Sequence, residues 1–235
     1  MKDGGPVTLV VLVRHAHSTA NQSGLLVGQL PGVHLSVKGI EQADLLSQRL
    51  GKIPVKTLRV SPLERCHETI APWKTEFGGK VALNTDPGLS EMDYGSWSGS
   101  KLRTLTRRPL WKTVQAHPSR VTFPDGESMM AMQARALKSV HTALEVTGNG
   151  HVLMVSHGDV LKAIITGCLG LHLDELQRFV VDPASVSVLD FSSSKPRLLL
   201  MNDSRSHINE LLNTKHGKRL LLGGGAGFSK SPRKR

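Results

Sequence analysis

Short, uninterrupted apolar runs alternate along this chain with stretches whose apolar residues recur every three to four positions. VTLVVLV (residues 7–13) is rich in β-branched residues and lacks polar alternation, the pattern of a strand covered on both faces. KTLRVSP (56–62), stopped by Pro62, and HVLMVSHGD (151–159) read as two further strands. Between them, SVKGIEQADLLSQRL (36–50) predicts a helix with Ser36 as N-cap and Ile40, Ala43, Leu46 and Leu50 along one side. LERCHETIAPW begins another helix, and residues 127–147 predict a third with a stripe of Met130, Leu137, Val140 and Leu144. VLKAIITGCLG is helical, and SVSVLDF and PRLLLMN close the pattern as a strand pair. No internal repeat is present.

Strands alternating with helices predict a three-layer α/β/α sandwich with a mainly parallel sheet. Ligands of such sheets bind beyond the carboxyl ends of the strands. Arg14 and His15, then Ser61 with Arg65 just after it, then His157 and Gly158 all fall at that one edge. Three strands therefore deliver charged or imidazole groups to the same rim.

Composition narrows the classes. At 235 residues and 39% hydrophobic, the chain suffices for one substantial domain with a real core. Cys66 and Cys168 are too few for a disulfide framework, lack metal-ligand spacing, and read as small apolar filler in a reducing compartment. MKDGGP lacks a basic leader region and no apolar run approaches membrane-spanning length, so a cytoplasmic location is expected. The net charge is +11, but seven of those charges sit from Asn213 onward (Lys215, Lys218, Arg219, Lys230, Arg233, Lys234, Arg235), leaving +4 for the rest. The expected organisation is a catalytic domain over 1–212 and a basic, flexible tail over 213–235; a nucleic-acid partner is disfavoured.

Two guanidiniums in one pocket repel each other unless an anion lies between them, and phosphate suits the bidentate fork of arginine. Histidine is a competent nucleophile toward phosphorus, and nearby arginines keep its imidazole neutral, as attack requires. Arginine and histidine can offset the charge on the equatorial oxygens, so no metal and no cofactor is expected. Departure of the leaving group needs a proton donor, for which a carboxyl group in LSEMDYGSWSG is the candidate.

At these residues the chain resembles the histidine phosphatase superfamily, in its phosphoglycerate mutase-like branch, nearest to bacterial broad-specificity phosphatases. LVRHAHSTAN resembles the phosphate-binding signature, SPLERCHET the second arginine motif, LSEMDYGSWSG the acid motif and VSHGD the second histidine motif. GQLPGVHLSVKGIEQA is similar to the segment between the first two. The motifs follow the family's order and cover roughly residues 7–205. The resemblance implies a phosphoglycerate mutase-like fold with His15 as the phosphorylated nucleophile. It implies that Arg14, Arg65 and His157 hold the phosphoryl group, that Asn21 donates to a phosphate oxygen, and that Glu91 is general acid and then base. Ala16 stands where the family usually has glycine, which excludes some backbone angles.

Alternatives stay open at several positions. Asn21 competes with a turn-capping role, Glu91 with Asp93 for the acid, and Asp159 reads as a cap of the following helix. His17 is placed near the pocket mouth. Arg103, Arg107, Arg108 and Trp111, in the segment 96–118 that would cover the pocket, are weighed as substrate contacts against a solvated helix face, which is favoured. The expected activity is metal-independent hydrolysis of small phosphorylated metabolites through a phosphohistidine. A phosphoglycerate mutase-type transfer is the alternative, disfavoured by the short 92–126 segment. A non-catalytic phosphoanion-binding regulatory domain ranks last, and a homodimer is left open.

Overall fold

The computed structural model describes residues 8–213. The expected tail beyond Asn213 lies outside the described residues. The strands are β1 (Leu9–Arg14), β2 (Leu25–Leu26), β3 (Val55–Val60), β4 (Leu83–Thr85), β5 (Ser100–Lys101), β6 (His151–Ser156), β7 (Val186–Asp190) and β8 (Arg197–Asp203). The helices are α1 (Thr19–Ser23), α2 (Val37–Leu50), α3 (Glu64–Glu76), α4 (Leu102–Leu105), α5 (Pro109–Ala116), α6 (Met129–Thr147), α7 (Gly158–Cys168) and α8 (Ile208–Asn213).

Six strands form one sheet in the order β4–β3–β6–β1–β7–β8. The first four run parallel; β7 is antiparallel to β1, and β8 to β7. The side-chain period of two splits β1 cleanly. Val10 and Leu12 pack with Val152, Met154 and the inner faces of α6 and α7, whereas Leu9, Val11 and Val13 pack with Leu153, Val155 and residues of α2, α3 and α8. This is the expected α/β/α sandwich. Because Leu9 to Val13 are fully buried, the run carries no polar alternation. Truncating Leu12 to alanine in such a layer costs roughly 2–5 kcal/mol.

Local signals set the helix ends. The Ser36 hydroxyl accepts from the Gly39 N–H to start α2, and the Ser128 hydroxyl accepts from the Ala131 N–H to start α6. Gly39 is required by close approach: a Cβ there would stand 1.9 Å from the His17 carbonyl oxygen. Two face assignments are corrected. Ile40 and Met130 are exposed, at 55% and 60%. The buried side of α6 instead runs through Met129, Met132, Ala136, Val140 and Ala143, because the helix meets the sheet one residue earlier in phase than the larger side chains suggest. The two-residue ladder β2–β5 and the edge strand β4 are too short to leave a pattern in sequence. No helix of the described residues is long and apolar enough to cross a membrane.

Candidate active site

Sheet register builds the floor of the site. Arg14 lies opposite Ser156, and Val60 opposite Val155, so β1, β6 and β3 end at nearly one level. The next residue on each strand is His15, His157 or Ser61, and the His15 and Ser61 N–H groups still bond across to β6. Arg65 is the second residue of α3, which begins at Glu64 just after Ser61. Glu91 comes from the loop beyond β4, two strands away, and reaches the centre because that loop is pinned. Ser156 Oγ donates to the Leu89 carbonyl at 2.7 Å. Arg135, on α6, donates to the carbonyls of Gly88 (2.9 Å), Ser90 (2.7 Å) and Glu91 (3.0 Å) while its fork grips Glu127.

A cavity of about 440 Å³ opens above this floor, lined among others by Arg14, His15, Asn21, Arg65, Glu91 and Asp159. His15 is 4% exposed. Its Nδ1 stands 2.7 Å from the Ala16 carbonyl oxygen, an acceptor only, so that nitrogen carries the proton and Nε2 keeps its lone pair. Burial first, then the Arg65 and Arg14 charges, hold its pKa well below the usual histidine value. The His157 ring lies 5.1 Å from it, centroid to centroid. His157 Nε2 is 2.7 Å from the Ser61 hydroxyl, while its buried Nδ1 has no hydrogen-bond partner and stands 3.9 Å from Glu91 Oε2. Burial, Arg65 and His15 also keep this imidazole neutral.

The two arginines are each half-satisfied. Arg14 donates from Nη1 to the Val181 carbonyl and Arg65 from Nη2 to the Gly28 carbonyl, yet Arg14 Nε and Arg65 Nη1 are buried without partners. Neither forms an ion pair among the described residues. Unsatisfied buried donors cost free energy. Two of them belong to arginines that line the cavity; the third, on His157, lies beneath it next to His15 and does not line it. With two full positive charges, the set describes a receptor for an anion with several acceptor oxygens.

Glu91 supplies the opposite chemistry. Burial and the Asp159 carboxylate raise its pKa to about 7 against the lowering pull of Arg65, and its Oε1 accepts from the Met92 N–H. It is therefore a carboxyl group able to give and take a proton near neutrality. Asp93 does not line the cavity; its Oδ1 accepts from the Gly95 N–H within the loop. Geometry thus places at the cavity the carboxylate that spacing to GSWSG favoured, Glu91, and not its competitor Asp93.

Residues 10–204 match the profile of the histidine phosphatase superfamily, branch 1. The chain belongs to that superfamily. It is 28% identical over 212 residues to phosphoserine phosphatase 1 of Hydrogenobacter thermophilus, covering 88% of this chain and 97% of the relative. A probable phosphoglycerate mutase of Erwinia tasmaniensis is 29% identical over 187 residues, covering 79% of this chain and 86% of that one. The alpha-ribazole phosphatase of Shigella flexneri superposes with a TM-score of 0.74 at 25% identity, over 84% of this chain and 98% of that one.

In this histidine phosphatase the remaining candidates divide: Asn21 and the segment 96–118 fall as the sequence reading favoured, and His17 does not. Asn21 lines the cavity and also caps α1: its Oδ1 accepts from the Ser18 N–H at 3.0 Å, while its Nδ2 is not taken up by that box. His17 does not reach the cavity; its Nδ1 pairs with Ser36 Oγ at 2.7 Å, tying the loop to α2. Arg103, Arg107 and Arg108 are exposed and do not line the cavity, and Trp111 packs on Trp97 beside it. Ala16 has no positive φ, so its methyl group imposes no strain; it packs with Leu35, Ala43 and Ala184. The structure adds Tyr94, whose hydroxyl donates to Asp159 Oδ2 at 3.0 Å, and Lys162, 3.5 Å from Asp159 Oδ1. The i, i+3 spacing of Asp159 and Lys162 on α7 was a usable signal for the second. The wall at 179–182 belongs to an irregular connection and leaves no periodic signal.

Proposed function

We propose that this histidine phosphatase hydrolyses phosphomonoesters of small metabolites in two displacements at one site. His15 Nε2 attacks phosphorus, the ester P–O bond breaks, and Glu91 gives its proton to the departing alkoxide. The Glu91 carboxylate then takes a proton from water, whose oxygen attacks phosphorus, breaks the P–N bond and releases inorganic phosphate and the neutral imidazole. Arg14 Nε, Arg65 Nη1 and His157 Nδ1 donate to the equatorial oxygens, and Asn21 Nδ2 adds a fourth donor. The observation that carries this reading is a neutral His15 at the cavity wall, its Nδ1 engaged by the Ala16 carbonyl, beside three unpartnered buried donors. Charge stabilisation by two guanidiniums makes a divalent ion unnecessary to the reaction.

The reading is tested by incubating the full chain, with excess chelator, with phosphomonoesters labelled at phosphorus. Wild type is expected to release phosphate and show acid-labile, base-stable label, whereas His15→Ala shows neither. Release by His15→Ala at a wild-type rate, or a requirement for added divalent ion, refutes the mechanism. Transfer of label to a second hydroxyl of a phosphoglycerate in place of water supports the mutase alternative.

A further inference from the structure

A second cavity, of about 200 Å³, adjoins the first. Leu26, Tyr94, Leu102, Asp159 and Gln177 line both, so the two cavities lie side by side with these residues at their junction. The second is aromatic. Trp97 and Trp111 stack with ring centroids 6.4 Å apart and planes within 19°. Phe123 meets Trp97 edge-on at 5.3 Å and Tyr94 at 4.9 Å. Trp97, Phe123 and Tyr94 are buried, and Trp111, carried on α5, is half-buried.

Such a cluster also serves as packing under the β2–β5 ladder, but its rings line a partly open pocket of about 200 Å³ beside the site where an ester's organic part must go. Aromatic walls favour a flat ring through offset and edge-to-face contacts beyond simple area burial.

We propose that this annex receives the alcohol part of the substrate, and that the enzyme prefers phosphomonoesters carrying a flat aromatic or heteroaromatic ring a few bonds from the ester oxygen. This rests on the phosphatase reading of the same site. In that arrangement Arg14, His15 and Arg65 hold the phosphoryl group, and the ring lies against the Trp97–Trp111 pair and Phe123. Tyr94 and Asp159 stand at the junction.

Binding and turnover separate the two ideas. The probes are phenylalkyl phosphonates with one to three methylenes, each paired with the alkyl phosphonate of equal linker length, titrated into the full chain by calorimetry. At the best linker length the ring is expected to tighten Kd about tenfold or more. The ratio is expected to fall toward one in Trp111→Ala and in Val114→Phe, which fills the annex from α5. The ratio is taken within each variant, so a partly destabilised protein does not imitate the result. A ring advantage below about threefold at every length overturns the proposal, as does a full advantage retained in both variants. Phenylalkyl and alkyl phosphates, whose leaving groups are similarly basic, are then compared for turnover. Equal hydrolysis of both with no binding preference removes the annex and leaves the phosphatase. A ring preference in binding with no hydrolysis of either removes the phosphatase and leaves the annex.

Discussion

Replacing Glu91 with glutamine tests the proton transfer most directly, because it removes one proton while leaving the shape of the site. Glutamine retains an acceptor for the Met92 N–H, and the Arg135 clamp holds backbone carbonyls that the substitution does not touch. With its pKa raised to about 7 by burial and Asp159, the carboxyl is available in its acid form near neutral pH, as general acid catalysis requires. Loss of that acid is expected to slow phosphorylation by an alkyl phosphate about 10²- to 10⁴-fold, a barrier increase of roughly 3–5 kcal/mol. A nitrophenolate leaves nearly unaided, so the first step with p-nitrophenyl phosphate should fall far less. Hydrolysis of the phosphohistidine also lacks its base in the variant. Rapid mixing should therefore show a nitrophenolate burst equal to the enzyme concentration, followed by slow release. In wild type, kcat/KM for alkyl phosphates should decline about tenfold per pH unit well above 7, as the acid form is lost, and this limb should vanish in Glu91→Gln. Equal losses on both substrates with no burst refute the assignment and turn attention to Asp159, a second carboxylate lining the cavity and the one whose charge acts on Glu91.

The same raised pKa carries a stability cost of definite sign. Between the unfolded value near 4.5 and the folded value near 7, the folded state holds more protons, so stability falls as pH rises through that window. Glu91→Gln should therefore raise Tm at pH 8 and lose that gain below about pH 4.5; a lower Tm at pH 8 contradicts the burial argument. Arg135→Ala should release the acid loop and depress alkyl phosphate turnover more than nitrophenyl phosphate turnover, while Arg135→Lys restores only part because an ammonium cannot span three carbonyls. Equal losses on the two substrates reduce Arg135 to a fold-stabilising residue. Ending the chain after Asn213 should change kcat by less than about tenfold, whereas ending it before Ile208 should lower Tm, since Ile208 and Leu212 pack in the core beneath α2.

The sequence by itself determined the frame and most of the chemistry. β1 and β6 are legible because their centres are buried on both faces, which leaves apolar runs that a polar tip interrupts at Arg14–His15 and His157. Strand ends in a parallel sheet share one edge, so the meeting of residues 15, 65 and 157 follows from local patterns alone. What depends on three-dimensional packing was not legible. Spacing to GSWSG favoured Glu91 over Asp93 but could not show why, because the difference lies in which carboxylate a loop turns inward, and Arg135, 44 positions away from Glu91, holds that loop. Helix faces such as those of Ile40 and Met130 misled because apolar side chains also appear on solvated surfaces. The raised pKa of Glu91 and the aromatic annex arise only when Asp159, Tyr94, Trp97, Trp111 and Phe123, drawn from segments far apart in the chain, are folded around one space. Charge coupling and cavity shape are sums over neighbours in space, and chain order does not record them.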